Sequence, residues 1–345
     1  MAAMMRTASR PNCYLCRSAG KLLYENLDDR LFGAGGSWSI RACENAACGL
    51  LWLDPMPVPE DIGKAYAAYY THDDTPDRTG HPLYRLFSGA RQGYLATHYG
   101  YFPSGLPAWK KLAGWLLMLH PGRRVVADFS VMWQNALPQG RLLDVGCGNG
   151  WLLESMKALG WAVEGVDLDP QAVESARARG LQVHLGHLVG LHLPAQSFDA
   201  LTMSHFIEHV HDPAAVIAEC HRLLKRGGRL VMVTPNTRSL GHRLYRKDWM
   251  HLDPPRHLHL FNPDALIETA RRGGFRKLAA WTSLRDAYGM FLGSRSIRRS
   301  GRYTMGAPQP ALTRLWARGA ELVEWLALKV NGNLGEEIVV VAEKE

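Results

Sequence analysis

The sequence predicts an α/β protein built on a doubly wound parallel sheet, with a small cysteine-bearing module in front of it. Three observations predict this. From Gly140 onward, short apolar runs alternate with helical patterns of about ten residues, the rhythm of parallel strands joined by crossover helices. The first of those strands runs into a glycine-rich turn, Gly146 to Gly150. Four of the six cysteines fall in the first fifty residues, as C-x2-C and C-x4-C.

Residues 1–58 are expected to form the front module. Cys13, Cys16, Cys43 and Cys48 make two close thiol pairs around a hairpin-sized segment, the spacing of a tetrahedral four-cysteine zinc site. Four protein ligands leave no position for water, so such a zinc is structural. The alternatives are unrelated cysteines or disulfides, which a reducing cytosol disfavours.

Residues 59–139 are expected to form a helical linker or lid. Pro59 precedes a short helical pattern containing Tyr66, Tyr69 and Tyr70, readable as a lid or as core packing, and residues 71–82 are polar and turn-rich. From Leu83 to about Gln134 the pattern is helical but broken. Trp109, Leu112, Trp115, Leu116 and Leu119 are spaced as one apolar face, expected to pack on the next domain. Lys110 and Lys111 beside that face also allow a peripheral helix on a membrane surface.

Residues 140–345 carry the sheet. RLLDV reads as a buried strand and Trp151 to Leu159 as a helix ending at Gly160. WAVEGVD is the second strand, and Asp169-Pro170 supplies an N-cap and a first-turn proline for the next helix. LQVHL, FDALTMS and RLVMVTP follow, with a helix from Pro213 to about Lys225 before the last. A helix from Pro263 to Arg272, KLAAWTS and EEIVVVAEK complete seven strands. An insertion at about 285–335 holds Arg295, Arg298, Arg299 and Arg302, expected in a solvated loop, and an amphipathic helix through Leu315, Leu322, Trp325 and Leu326.

The 345 residues, 47% hydrophobic and 21% charged, exclude wholesale disorder, collagen and coiled coil. No apolar run reaches the length of a spanning helix, and no secretory signal is read at the N-terminus, so a cytoplasmic protein is expected. The net charge of +8 divides as +3, +3 and +2 over residues 1–139, 140–284 and 285–345, too thin a spread for a nucleic-acid binder.

The glycine-rich turn sharpens the functional reading. Glycines 146, 148 and 150 follow a strand ending in Asp144, and Asp167 ends the next strand, where a carboxylate accepts from both hydroxyls of a ribose. A dinucleotide site has G-x-G-x-x-G and binds a pyrophosphate; here the spacing is G-x-G-x-G, and an acid at the strand tip suits an ammonium-bearing ligand better than an anion. At these residues the sequence resembles the class I S-adenosylmethionine-dependent methyltransferases. The resemblance runs from Gly140 to Phe275 through LLDVGCGNG, GVDLDP, LPAQSFDAL, FIEHVHDP, LLKRGGRLVMVTPN and PRHLHLF. With the front cysteines it is similar to a zinc-containing branch that includes sugar C-methyltransferases, and FIEHV is similar to ubiquinone-pathway O-methyltransferases. The resemblance implies a Rossmann-like sheet with Asp144, Gly146, Gly148 and Gly150 at the methionine end of the cofactor. It also implies Asp167 and Leu168 at the ribose, His187 and Leu188 at the adenine, and Ser204 on the cofactor side. Many relatives carry an acid near His187 for the adenine amino group; this chain has Gly186-His187-Leu188.

Methyl transfer from a sulfonium needs a positioned nucleophile and, where required, removal of its proton. Candidates follow the fourth strand: Ser204, His205, Glu208, His209 and His211, with 205, 208 and 209 on one face if the segment is helical. Three readings stay open for them: Glu208 and His209 as a base pair, His205, Glu208 and His209 as divalent-metal ligands, or a structural pair. A second cluster, His251, Arg256, His257 and His259, is placed to close over an acceptor, with the Arg256 fork for a phosphate or carboxylate and His257 among the catalytic candidates. The expected partner is a small polar acceptor, a sugar or sugar conjugate in one reading and a quinone-type or lipid-type molecule in the other. A non-catalytic cofactor-binding module is the further alternative.

Overall fold

The structure, a computed structural model, describes residues 5–66, 82–102 and 105–345. Tyr69, Tyr70 and the polar stretch at 71–81 lie outside the described residues. Two compact units interleave along the chain: one draws on residues 1–69, 205–218 and 232–340, the other on 70–204, 219–231 and 341–345.

In the front module β1 is Thr7–Ala8, β2 Gly20–Leu27, β3 Trp38–Cys43, β4 Leu51–Leu53 and β5 Met56–Pro57. The strands that follow are β6 Arg141–Val145, β7 Ala162–Asp167, β8 Gln182–Leu185, β9 Phe198–Ser204 and β10 Leu224–Pro235. After β11 (His259–Leu260) come β12 Lys277–Ser283 and β13 Glu337–Glu343. Seven of them form one sheet in the order β12-β13-β10-β9-β6-β7-β8. β6 pairs in parallel with both β7 and β9, and β7 with β8, so the winding reverses at β6. A ligand crevice in such sheets lies at the carboxyl end of the strand where the order reverses. Leu142, Leu143 and Val145 are fully buried, as expected of a central strand covered on both faces.

The caps explain the helix starts. Asp169 accepts from the Gln171 and Ala172 amides with Pro170 in the first turn, and Asn262 accepts from Ala265 with Pro263 behind it. The elements at 198–204, 263–272 and 277–283 lie where the sequence pattern puts them.

Three expectations need correction. The apolar face at 109–119 does not pack inward: Trp109, Leu112, Trp115, Leu116 and Leu119 are all exposed. The helix Ala108–Leu117 instead meets the helix Pro82–Tyr99 backbone to backbone at Gly93 and Gly114, where a Cβ would lie 1.8 Å from the Lys110 carbonyl oxygen and 2.3 Å from the Tyr94 amide nitrogen. Arg295, Arg298 and Arg299 belong to a helix, Ala287–Ser300, rather than a solvated loop; Arg298 pairs with Asp248 and Arg295 lies over the Trp316 ring. The stretch after β10 is also more than a loop, because β11 pairs antiparallel with β4, His259 opposite Trp52, and completes the front sheet β11-β4-β3-β2.

Candidate active site

The glycine-rich turn is built around two acids. Register places Asp144 of β6 level with Thr202 of β9, and the Thr202 hydroxyl donates to Asp144 Oδ1 at 2.7 Å. Asp144 is buried, and that burial, with the charge of Asp167 adding to it, pushes its carboxyl up to about 7 against the hydrogen bond from Thr202. Asp167, at the end of β7, is also raised by burial; its two oxygens accept from the Gly148 amide at 2.7 Å and the Asp169 amide at 2.9 Å. The carboxylate therefore fixes the turn while each oxygen keeps a lone pair for a ligand.

Gly148 has a positive φ of 51°, and a Cβ there would meet nothing within 4 Å, so the turn presents bare backbone to open space. Gly150, with φ 83°, opens the helix Trp151–Ala158; a Cβ there would lie 2.5 Å from Leu181. Leu168 and His187 are exposed, Ser204 is half-buried, and Leu188 is buried. A buried strand-end acid, an uncovered glycine turn and a second acid fixed beside it fit a ligand with a cationic amino-acid end and a ribose.

The second cluster belongs to the other unit. His205 adopts φ 49°, which turns the chain sharply after β9, and Ile207–His209 is a single 3-10 turn rather than the helix pictured from spacing. Glu208 is fully buried and its Oε2 accepts from Thr234 at 2.9 Å. Burial favours its neutral form, but the hydrogen bond and charge of His205 prevail and hold it down at about 2. His205, between Glu208 at 3.4 Å and Glu337 at 2.8 Å, is raised to about 10 despite burial, and is an imidazolium. His205 is therefore an ion-pair partner rather than a ligand or base.

His209 is different. Its Nδ1 lies 3.1 Å from the Arg256 carbonyl and 2.9 Å from the Tyr66 hydroxyl. A carbonyl only accepts, so Nδ1 carries the proton and Nε2 the lone pair. Burial pushes His209 down to about 4, helped by the neighbouring His257. His257 donates Nδ1–H to the His251 carbonyl at 2.7 Å, turns Nε2 toward Glu208 Oε1 at 4.0 Å, and is likewise lowered to about 4 by burial. Glu208 Oε1 is buried and pairs with His205 Nδ1 at 3.4 Å. Glu208, His209 and His257 each place a ligand-type atom within 4.8 Å of the others, so His257 takes the place that spacing gave to His205.

Arg256 does not face an acceptor. It is fully buried, with its fork on both oxygens of Asp29, a further pair to Asp253 and a bond to the Ala65 carbonyl. All five of its donors are directed to the protein's own groups or their immediate surroundings, and it ties the 253–257 segment to the front module. His211 donates Nε2–H to the Pro57 carbonyl at 2.8 Å, and His259 lies buried against the Tyr14 ring. Thr202, Thr234 and Glu337 were missed by the sequence reading. Strand register points to Thr202, whereas no local pattern points to Glu337, 132 residues from His205.

In the front module the sulfurs of Cys13, Cys16, Cys43 and Cys48 lie within 4.8 Å of one another, Cys13 and Cys48 3.7 Å apart and Cys16 and Cys43 3.3 Å apart. Tight turns aim them: Arg17 N bonds the Cys13 carbonyl and Cys48 N the Asn45 carbonyl. Four convergent thiols without a disulfide are a donor set that fits one tetrahedral zinc.

Residues 119–280 match the Methyltransf_23 family of methyltransferase domains. Among curated proteins, the chain is 47% identical over 107 residues to a ubiquinone biosynthesis O-methyltransferase of Xanthomonas oryzae pv. oryzae, covering 29% of this chain and 45% of the relative. It is 45% identical over 125 residues to one of the same name from Xanthomonas campestris pv. campestris, covering 34% and 52%. The chain thus spans about half the length of the curated relatives it matches. A solved SAM-dependent methyltransferase from Archaeoglobus fulgidus is 20% identical, covers 64% of this chain and 90% of that one, and has a TM-score of 0.43. Among the described residues no helix is long and apolar enough to cross a membrane.

Proposed function

We propose that this chain, which carries a methyltransferase domain at 119–280, transfers a methyl group from S-adenosylmethionine to a hydroxyl oxygen of a small molecule. The observation that carries the proposal is the turn from Asp144 to Gly150 with Asp167 fixed against it, inside the matched segment. Bound S-adenosylmethionine supplies an activated methyl group on a sulfonium. Asp144 and the three glycines would hold its methionine end, Asp167 and Leu168 the ribose, and the segment at His187 and Leu188 the adenine, with Ser204 on the cofactor side.

His209 Nε2, neutral and unprotonated, receives the acceptor's proton, and Glu208 with His257 stabilises the imidazolium that forms. The relatives named for ubiquinone biosynthesis make a phenolic hydroxyl the first acceptor to test, and a sugar hydroxyl the second. Incubation with S-adenosylmethionine and a catechol should release S-adenosylhomocysteine in proportion to acceptor. Binding of S-adenosylhomocysteine with no turnover on phenols or sugars would mean a non-catalytic cofactor-binding module.

A specific observation favours a second reading of the same cluster. Glu208 Oε1, which pairs with the His205 imidazolium at 3.4 Å, lies beside two imidazoles whose Nδ1 protons are already engaged, and Glu208, His209 and His257 together are a ligand set of the kind a divalent cation takes. In that reading Glu208, His209 and His257 would hold the cation, which would supply Lewis-acid activation of the acceptor hydroxyl. Loss of activity on chelation at unchanged zinc content, with recovery on adding magnesium, would establish it. The front cysteines hold one structural zinc in either reading.

A further inference from the structure

We propose that the helix Ala108–Leu117 and the segment through Arg124 form a docking surface for an anionic phospholipid bilayer. The inference does not depend on the methyl-transfer reading. Its basis is the orientation of an amphipathic helix relative to its own unit. Trp109, Leu112, Trp115 and Leu116 fall within an arc of about 120°, and these four with Leu119 are 51 to 68% exposed.

The inward side is made of small groups. Gly93 and Gly114 bring the helix Pro82–Tyr99 and this helix into backbone contact, and only Leu117 among the large apolar side chains of Ala108–Leu117 is buried. The helix is thus held by its narrow face, and its wide apolar face points outward. Two half-exposed tryptophans and three leucines leave on the order of several hundred Å² of apolar surface in one strip, more than soluble surfaces ordinarily show.

Charge decides what covers it. Between Asp77 and Asp128 the sequence holds seven Lys and Arg residues and no Asp or Glu. Lys111, Arg123 and Arg124 are exposed next to the apolar strip. A second copy of the chain packed isologously would set these cations against their own equivalents. A bilayer rich in phosphate headgroups pairs with them instead, while tryptophans sit at headgroup depth and leucines reach the acyl boundary. A nucleic acid would use the cations but leave the leucines in water. Another exposed apolar helix among the described residues, Ala311–Val330, carries Glu321 on its surface, paired with Arg318, and lacks this one-sided charge.

Flotation of the whole chain with phosphatidylcholine vesicles, with and without phosphatidylglycerol, tests the proposal. The chain should float with the anionic vesicles, weakly or not at all with the neutral ones, and less as salt is raised. Leu112→Asp with Leu116→Asp should abolish flotation. Lys111→Glu, Arg123→Glu and Arg124→Glu together should weaken anionic binding about 100-fold, each cation contributing about fivefold. All five positions are exposed, but Arg124 also pairs with the buried Asp128 at 3.8 Å and Arg123 lies over the Phe87 ring, so the melting temperature of each variant is measured beside its flotation; the salt dependence of wild type tests the proposal even if a variant fails to fold. Failure of wild type to float with anionic vesicles overturns the proposal, as does equal flotation of both variants. A wild-type dimer in sedimentation that Leu112→Asp dissociates assigns the face to a second copy, and RNA binding lost with the charge variant alone assigns it to nucleic acid; either result also overturns it.

Discussion

The four cysteines of the front module and the Glu208–His209–His257 cluster both bring ligand-type atoms within 4.8 Å of one another, yet they are held together in opposite ways. The cysteines are aimed by turns a few residues long, and four donors of one kind are the set that a tetrahedral zinc takes. The second cluster has three donors of mixed kind. It is held by long-range partners: Thr234 on Glu208, the Arg256 carbonyl on His209, the His251 carbonyl on His257. A closed shell stabilises a fold; an incomplete one, with lone pairs uncommitted, is available for chemistry.

That contrast can be broken most decisively at the cysteines. Cys43→Ser should reduce zinc content from one per chain to near zero by elemental analysis, and open residues 5–66 to proteolysis, since a structural zinc contributes about 10 kcal/mol or more to such modules. Fully folded, metal-free wild-type protein purified without chelator would remove the structural half of the comparison.

At the other cluster, His209→Asn should leave cofactor affinity nearly unchanged and lower turnover by roughly two to four orders of magnitude. The pH profile sharpens the point. Burial holds His209 at about 4, so its neutral, proton-accepting form is present throughout pH 6 to 8 and the rate contributed by this group should be flat there. A rate rising through about pH 6 to 7, the range of an unshifted imidazole, would place the base elsewhere.

Asp144 tests burial without any metal-type neighbourhood. Its carboxyl is raised to about 7, above the usual value near 3.8, so the stability it contributes is complete below pH 4 and is lost as pH rises through 7. Asp144→Asn should therefore stabilise the fold at pH 8, by a few kcal/mol at most, and much less at pH 5, while weakening S-adenosylmethionine binding. A variant less stable at pH 8 than at pH 5, relative to wild type, would reverse that sign.

The sheet was legible because each of its signals is local: RLLDV, the glycine turn, FDALTMS and the Asp169-Pro170 cap lie within a few residues of what they determine. Cys13 to Cys48 were legible for the same reason. The second cluster was legible only as a collection of residue types. Helical spacing put His205 beside Glu208 and His209; His205 does pair with Glu208, but its other nitrogen pairs with Glu337, and His257 arrives from a distant segment to complete the cluster. Arg256 could not be seen as structural until Asp29, 227 positions away, was found on its guanidinium. The outward helix was misjudged because periodicity identifies an apolar face without saying which side a neighbour occupies. Averaging charge over three long windows also hid the acid-free stretch from 78 to 127.

The central claim, a cofactor held by the turn at Asp144 to Gly150 and by Asp167, is tested most directly by calorimetry of S-adenosylhomocysteine against wild type and Asp167→Ala. Loss of two charge-assisted hydrogen bonds at about 1.5 kcal/mol each predicts an affinity lower by about 100-fold. Equal affinity in the two proteins, or no binding to wild type, would contradict it.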